Sequence, residues 1–173
     1  MPRAVVVWVA LLVWATNTWA EDAEPPCANG AHRDFDFWAG EWRVDDIDGN
    51  HVGNNTITIE EAGCVLVEHW RSVSGISGQS LNFYDPLDDK WRQVWVSPGS
   101  IIELSGGRVG GYMVLEGTIT YLRTGERFPL RGTWAPLPDG RVRQLFEESR
   151  AAGTWSEWFE GFYTRMTSLD KVE

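Results

Sequence analysis

From Trp42 onward, hydrophobic and polar residues alternate with a period of two, and Gly, Pro, Asn and Asp cut the alternation into short runs. That period places successive side chains on opposite faces of an extended strand. The runs cover 41–48, 52–61, 64–73, 78–85, 90–97, 100–105, 110–122, 126–135, 140–149 and 154–166. Between them lie Asp48-Gly49-Asn50, Asp85-Pro86-Leu87-Asp88-Asp89, Pro98-Gly99, Gly106-Gly107 and Pro138-Asp139-Gly140, all hairpin or turn chemistry. No stretch after residue 40 carries an apolar stripe at helical spacing. The pattern therefore predicts an all-β protein of about ten antiparallel strands. Short hairpins without long crossovers favour an up-and-down barrel over a sandwich.

Ahead of the strands, Asp34-Phe35-Asp36-Phe37-Trp38-Ala39-Gly40 predicts a short N-terminal helical turn. Asp34 would cap its start and Gly40 would end it. Phe35, Phe37 and Trp38 would then plug one end of the barrel. Residues 21–33 read as an acidic, Pro-bearing lead-in, 34–166 as the single barrel domain and 167–173 as a loose tail.

The strand faces carry the functional signal. Trp91, Gln93 and Trp95 share one face, as do Cys64, Leu66, Glu68 and Trp70. Ser80, Asn82 and Tyr84 form a third such set, and Val142, Gln144, Phe146 and Glu148 a fourth. Two readings are open. In an ordinary antiparallel sheet the polar face meets water and the aliphatic face fills the core. Alternatively, these mixed aromatic and polar faces line an interior cavity, since pockets are mostly apolar with a few placed polar groups. Trp91 and Trp95 alternating on a wet surface would be an unusual exposure of apolar area. We take the cavity as the expectation, with Glu68, Trp70, Asn82, Tyr84, Trp91, Gln93, Trp95 and Gln144 as candidate ligand-binding residues.

Composition narrows the partners. The 173 residues hold 15 Lys plus Arg against 25 Asp plus Glu, a net charge of −10. This disfavours nucleic acid, whose phosphates need surplus basic side chains, and anionic membrane surfaces. Residues 1–20 have the layout of a secretory leader: Arg3, an apolar run from Ala4 to Ala15, and Thr18-Trp19-Ala20 before the cut. The apolar run is too short to span a bilayer, so no membrane insertion is expected once the leader is removed. Glu24-Pro25-Pro26 before Cys27 does not suit a lipid anchor. Cys27 and Cys64 form a lone pair, which outside the cytosol is expected as a disulfide, the alternative being two buried thiols. An exported protein, periplasmic or secreted, follows.

Phe35-Asp36-Phe37-Trp38-Ala39-Gly40-Glu41-Trp42, Gly63-Cys64, Glu68-His69-Trp70 and Lys90-Trp91-Arg92-Gln93-Val94-Trp95-Val96 together resemble an uncharacterised bacterial family of lipocalin-like (calycin) barrels. The resemblance runs from about residue 34 to 166 and is distantly shared with nitrobindin and fatty-acid-binding barrels. It implies a calycin-like barrel with an interior cavity, a periplasmic setting and no particular reaction. The chain departs from the family at Ser97 and at Ser149–Trp155, where carboxylates are missing.

The remaining chemistry is sparse. His32, His51 and His69 are placed as surface or rim residues, so a haem is not expected. Asp45-Asp46-Ile47-Asp48-Gly49-Asn50 lacks the spacing and closing Glu of a calcium loop and reads as a hairpin turn. No spacing calls for a metal or any cofactor, and no nucleophile motif is present. Glu68 is the one candidate catalytic residue, as a buried acid or base. The expected function is an exported barrel that holds a small apolar or aromatic molecule. One alternative is an isomerase, cyclase or hydratase using Glu68 in the same cavity. The other is a filled barrel that serves as an interaction domain, for which no protein partner can be named.

Overall fold

The computed structural model describes Met1 and residues 25–28, 30–151 and 153–167. The leader expected at 1–20, apart from Met1, lies outside the described residues, as does the tail beyond Thr167. Ten strands follow one another: β1 Gly40–Asp45, β2 His51–Glu60, β3 Val65–Ser72, β4 Ser77–Asp85, β5 Lys90–Val96, β6 Ser100–Val109, β7 Tyr112–Tyr121, β8 Arg127–Pro136, β9 Val142–Ala151 and β10 Thr154–Arg165. Each pairs with its sequence neighbours, and β1 pairs antiparallel with β10 to close the barrel. The fold is the all-β, up-and-down barrel that the period-two pattern predicts.

One turn differs. Gly106-Gly107 is not a turn; β6 continues through it to Val109 and the chain reverses at Gly110-Gly111. A Cβ on Gly106 would collide with the carbonyl oxygen of Val114, and one on Gly117 with that of Glu103. The two glycines let β6 and β7 approach more closely than side chains permit, which is a role for Gly inside a strand.

The N-terminal segment plugs one end, in two 3-10 turns at Gly30–Arg33 and Asp36–Trp38 and not in one turn over 34–40. Asp34 does not cap. Its carboxylate is drawn to Arg108 at the end of β6, 3.3 Å away. Ala39 closes the second turn, and Gly40 instead begins β1, where its missing side chain leaves room for the Arg165 guanidinium. Phe35 stacks on Trp38 at 5.0 Å and meets Trp134 and Trp91 edge-on at 5.1 and 5.5 Å. Burying Phe35 alone stabilises the fold by about 1.5–3 kcal/mol. Phe37 is only partly buried against this cluster. Two of the indole N–H groups are satisfied as they are buried, Trp42 donating to the Trp38 carbonyl at 2.9 Å and Trp91 to that of Ala31 at 3.0 Å, while those of Trp38 and Trp134 are buried without a partner.

Cys27 and Cys64 are joined by a disulfide, with Cα atoms 5.0 Å apart across 37 positions. By chain-entropy reasoning such a loop contributes about 3–4 kcal/mol. It fastens the plug to the start of β3. Arg33 adds a second tie, donating to the Gly63 carbonyl at 3.1 Å and pairing with Asp36.

The glycine contrast in β6 is testable. Gly106→Ala is expected to lower the urea midpoint by the equivalent of about 1–3 kcal/mol. Gly107→Ala, whose Cβ would meet nothing within 4 Å, is expected to leave it unchanged. Equal midpoints for the two variants would contradict this account.

Candidate functional site

At the end opposite the plug, the barrel interior is not filled. A cavity of about 130 Å3 lies there. Its polar lining comes from Glu68 on β3, Gln93 on β5, Gln144 on β9 and Tyr163 on β10. Its apolar wall is Trp70, Trp95, Ile102, Phe146, Trp158 and Phe159. Glycines make room for the indoles: a Cβ on Gly53 would lie 2.6 Å from the Trp70 ring, and one on Gly78 would collide with Trp95. Trp158 and Phe159 are consecutive yet both line the cavity. Strict alternation forbids that, but the β9–β10 register slips between Glu157 and Phe159. A bulge of this kind re-aims side chains.

A hydrogen-bond chain runs around the floor of the cavity. Gln93 Nε2 donates to Asn82 Oδ1 at 2.8 Å. Asn82 Nδ2 donates to the Leu66 carbonyl at 3.2 Å and to Ser80 Oγ at 2.8 Å. Ser80 Oγ donates to Glu68 Oε2 at 2.6 Å, and Asn55 Nδ2 to Glu68 Oε1 at 2.7 Å. Asn55 Nδ2 also reaches the Tyr163 hydroxyl at 3.3 Å, which in turn donates to Gln144 Oε1.

The Leu66 carbonyl sets the direction of one arm. A carbonyl can only accept, so Asn82 must turn its amide nitrogen toward it. Asn82 Oδ1 is then an acceptor and Gln93 must offer its nitrogen, which leaves Gln93 Oε1 buried without a partner. Ser80 Oγ, already accepting from Asn82, sends its proton on to Glu68.

Glu68 is 4% exposed and takes hydrogen bonds from neutral groups alone. Burial raises its pKa from 4.5 to about 7, against the opposing pull of the Ser80 and Asn55 hydrogen bonds. Burial, followed by the nearby Glu68 charge, also raises the Tyr163 phenol well above its ordinary range. The other inward carboxylate is treated differently. Glu148 accepts from Arg150 at 2.9 Å and from Tyr121 at 3.0 Å, and Tyr121 holds the Trp158 indole N–H at 3.0 Å. The two carboxylates thus belong to separate networks, one with a cation and one without.

Of the residues singled out from the sequence, Glu68, Trp70, Gln93, Trp95 and Gln144 meet at the cavity. Asn82 does not line it but lies beneath, orienting Gln93 and Ser80. Tyr84 and Trp91 belong to the plugged end. Tyr84 donates to the Asp89 carboxylate and its ring meets His32 edge-on at 5.0 Å, while Trp91 packs on Phe35. Strand alternation gives the inner face but not the depth along the barrel, hence the error. Asn55, Ser80 and Tyr163 were not anticipated as site residues. Ser80 shares its face with Asn82, and Asn55 lies between Gly53 and Ile57 on the inner face of β2, so alternation carries a weak signal for both.

No His lines the cavity: His69 is exposed on the outer side of β3, and His51 hydrogen-bonds to the Gly53 carbonyl at 3.1 Å. Among the described residues no group of three or more His, Cys, Asp or Glu is placed to hold a metal ion. Asp46 organises its hairpin by accepting from the backbone of Asn50 at 2.8 Å and of Asp48 at 3.0 Å. Comparison with protein-family models gives no match for this chain, and comparison with curated proteins gives none either.

The raised pKa of Glu68 makes stability depend on pH with a known sign. Between the ordinary value of 4.5 and the folded value of about 7, the folded protein binds more protons than the unfolded chain. Stability from this group is therefore lost as pH rises through that window and is level above it. The full loss is on the order of 3 kcal/mol. Asp46, Asp85 and Asp139, whose pKa values are lowered below 3.8, act at more acidic pH and leave the window clear. Glu68→Gln is expected to abolish the decline in Tm between about pH 5 and 8. Parallel Tm profiles for the two proteins would rule the raised pKa out.

Proposed function

We propose that this chain is an exported barrel that binds a small apolar or aromatic molecule in the cavity at its open end. The reading rests on one observation: a barrel plugged at one end leaves about 130 Å3 at the other, walled by aromatic rings beside a few fixed polar groups. A cavity of roughly 150 Å3 accommodates benzene, so this one suits a single ring or a similarly small body. The wall composition is that of a ligand pocket. The unfilled space at the open end favours this reading over the filled-barrel alternative.

Export is supported by the leader pattern of residues 1–20 and by the disulfide, which persists in oxidising compartments such as the periplasm or the extracellular space. The calycin-like motifs agree with a ligand-carrying barrel. A second reading has its own support. A buried carboxyl with a pKa of about 7 is poised to give or take a proton at neutral pH. In that case the bound molecule would be turned over by isomerisation, cyclisation or hydration, and Glu68→Gln would abolish turnover while binding persisted.

Trp70, Trp95 and Trp158 report occupancy. Titration with toluene is expected to give a saturable change in tryptophan fluorescence. In Gly78→Ala the new Cβ collides with the Trp95 indole, which must leave its place in the cavity wall, and affinity is expected to fall at least about tenfold. Absence of any saturable change in the parent protein, across apolar single-ring probes, would defeat the binding reading.

A further inference from the structure

Where Glu68 and Gln93 meet the cavity, the unfilled hydrogen-bonding capacity is that of acceptors. Glu68 has four lone-pair sites as a carboxylate and uses two, on Ser80 and Asn55. Gln93, a lining residue, has its Oε1 buried without a partner, and the Leu66 carbonyl forbids the amide flip that would offer a donor there. The Tyr163 hydroxyl spends its proton on Gln144. An occupant that only accepts hydrogen bonds would leave Glu68 and Gln93 no better satisfied than the empty cavity does.

Charge points the same way. Glu148, the other inward carboxylate, has Arg150. Glu68 has no basic partner among the described residues. Its neighbours from the packed strands are Asn55 on β2, Ser80 on β4 and Tyr163 on β10, and of these only Tyr163 titrates, far above neutral pH. His69 points out of the barrel. A buried carboxylate without a cation is costly. The wall around it is Trp70, Trp95, Trp158, Phe146 and Phe159, and aromatic rings attract cations through their quadrupoles.

We infer that the cavity selects a protonated primary amine carried on a small apolar or single-ring body, its ammonium directed to Glu68 and Gln93 Oε1 and its body held by the indoles. The inference rests on the binding reading above and narrows it to a ligand class. A primary ammonium brings three donors and no acceptor, which complements the unfilled acceptor sites of Glu68 and Gln93 Oε1. Charge-assisted hydrogen bonds of this kind are about twice as strong as neutral ones. The amine supplies the cation that the chain itself withholds from Glu68.

The test is calorimetric titration of the full exported protein with benzylamine, benzyl alcohol and toluene, which share a ring and differ in the group presented to the floor. At about pH 8, benzylamine is expected to bind at least about tenfold more tightly than either neutral probe. Glu68→Gln is expected to remove that preference. Lowering the pH to about 5.5 protonates Glu68 and is expected to weaken benzylamine more than tenfold, with toluene unaffected. The pH series needs no variant, so it stands even if Glu68→Gln folds poorly. If a neutral probe binds as tightly as benzylamine at both pH values, the amine inference is overturned and the binding reading stands. If no probe binds, the binding reading falls and the inference with it.

Discussion

Closing ten strands into one barrel creates an interior wider than a small sheet's own side chains easily fill, and every later feature of this molecule answers that constraint. At one end the answer is the N-terminal segment. Phe35 and Trp38 fill the space between Trp91 and Trp134, and the Cys27–Cys64 disulfide with the Arg33 contacts holds the segment in place. At the other end no such segment exists among the described residues. Aromatic side chains narrow the space there, and Gly53 and Gly78 give the Trp70 and Trp95 indoles their positions.

What makes the open end more than unfilled volume is the direction of its hydrogen bonds. The Leu66 carbonyl orients Asn82, Asn82 orients Gln93 and Ser80, and Ser80 delivers a proton toward Glu68. The consequence is a buried carboxyl that receives donors but no positive charge. Its ionised form is favoured by two hydrogen bonds and opposed more strongly by burial, which leaves the balance near neutral pH. A group balanced in this way responds to whatever enters the cavity. The same network gives a binding protein its selectivity or an enzyme its acid.

The strands and hairpins were legible because period-two alternation and turn residues are local signals. Gly106-Gly107 misled for a physical reason: glycine marks both turns and close strand approach, and only the partner strand decides which. The inner face was legible too, as Glu68, Trp70, Gln93 and Trp95 show. Depth was not, because Tyr84 and Trp91 share the inner face with Asn82 and Gln93 and differ only in their position along the barrel axis. The bulge that turns Trp158 and Phe159 inward, and the closure that brings Tyr163 on β10 beside Asn55 on β2, arise from pairings that no single strand encodes.

The most direct test of the proposed ligand cavity is native mass spectrometry of the protein, as purified and after addition of benzylamine, with denaturing spectra of the same samples. The account predicts a bound mass in one or both native spectra that disappears on denaturation, at one molecule per chain. A native mass equal to the polypeptide alone in both samples would contradict it, and would mean that the space beside Glu68 holds nothing but the protein's own side chains and water.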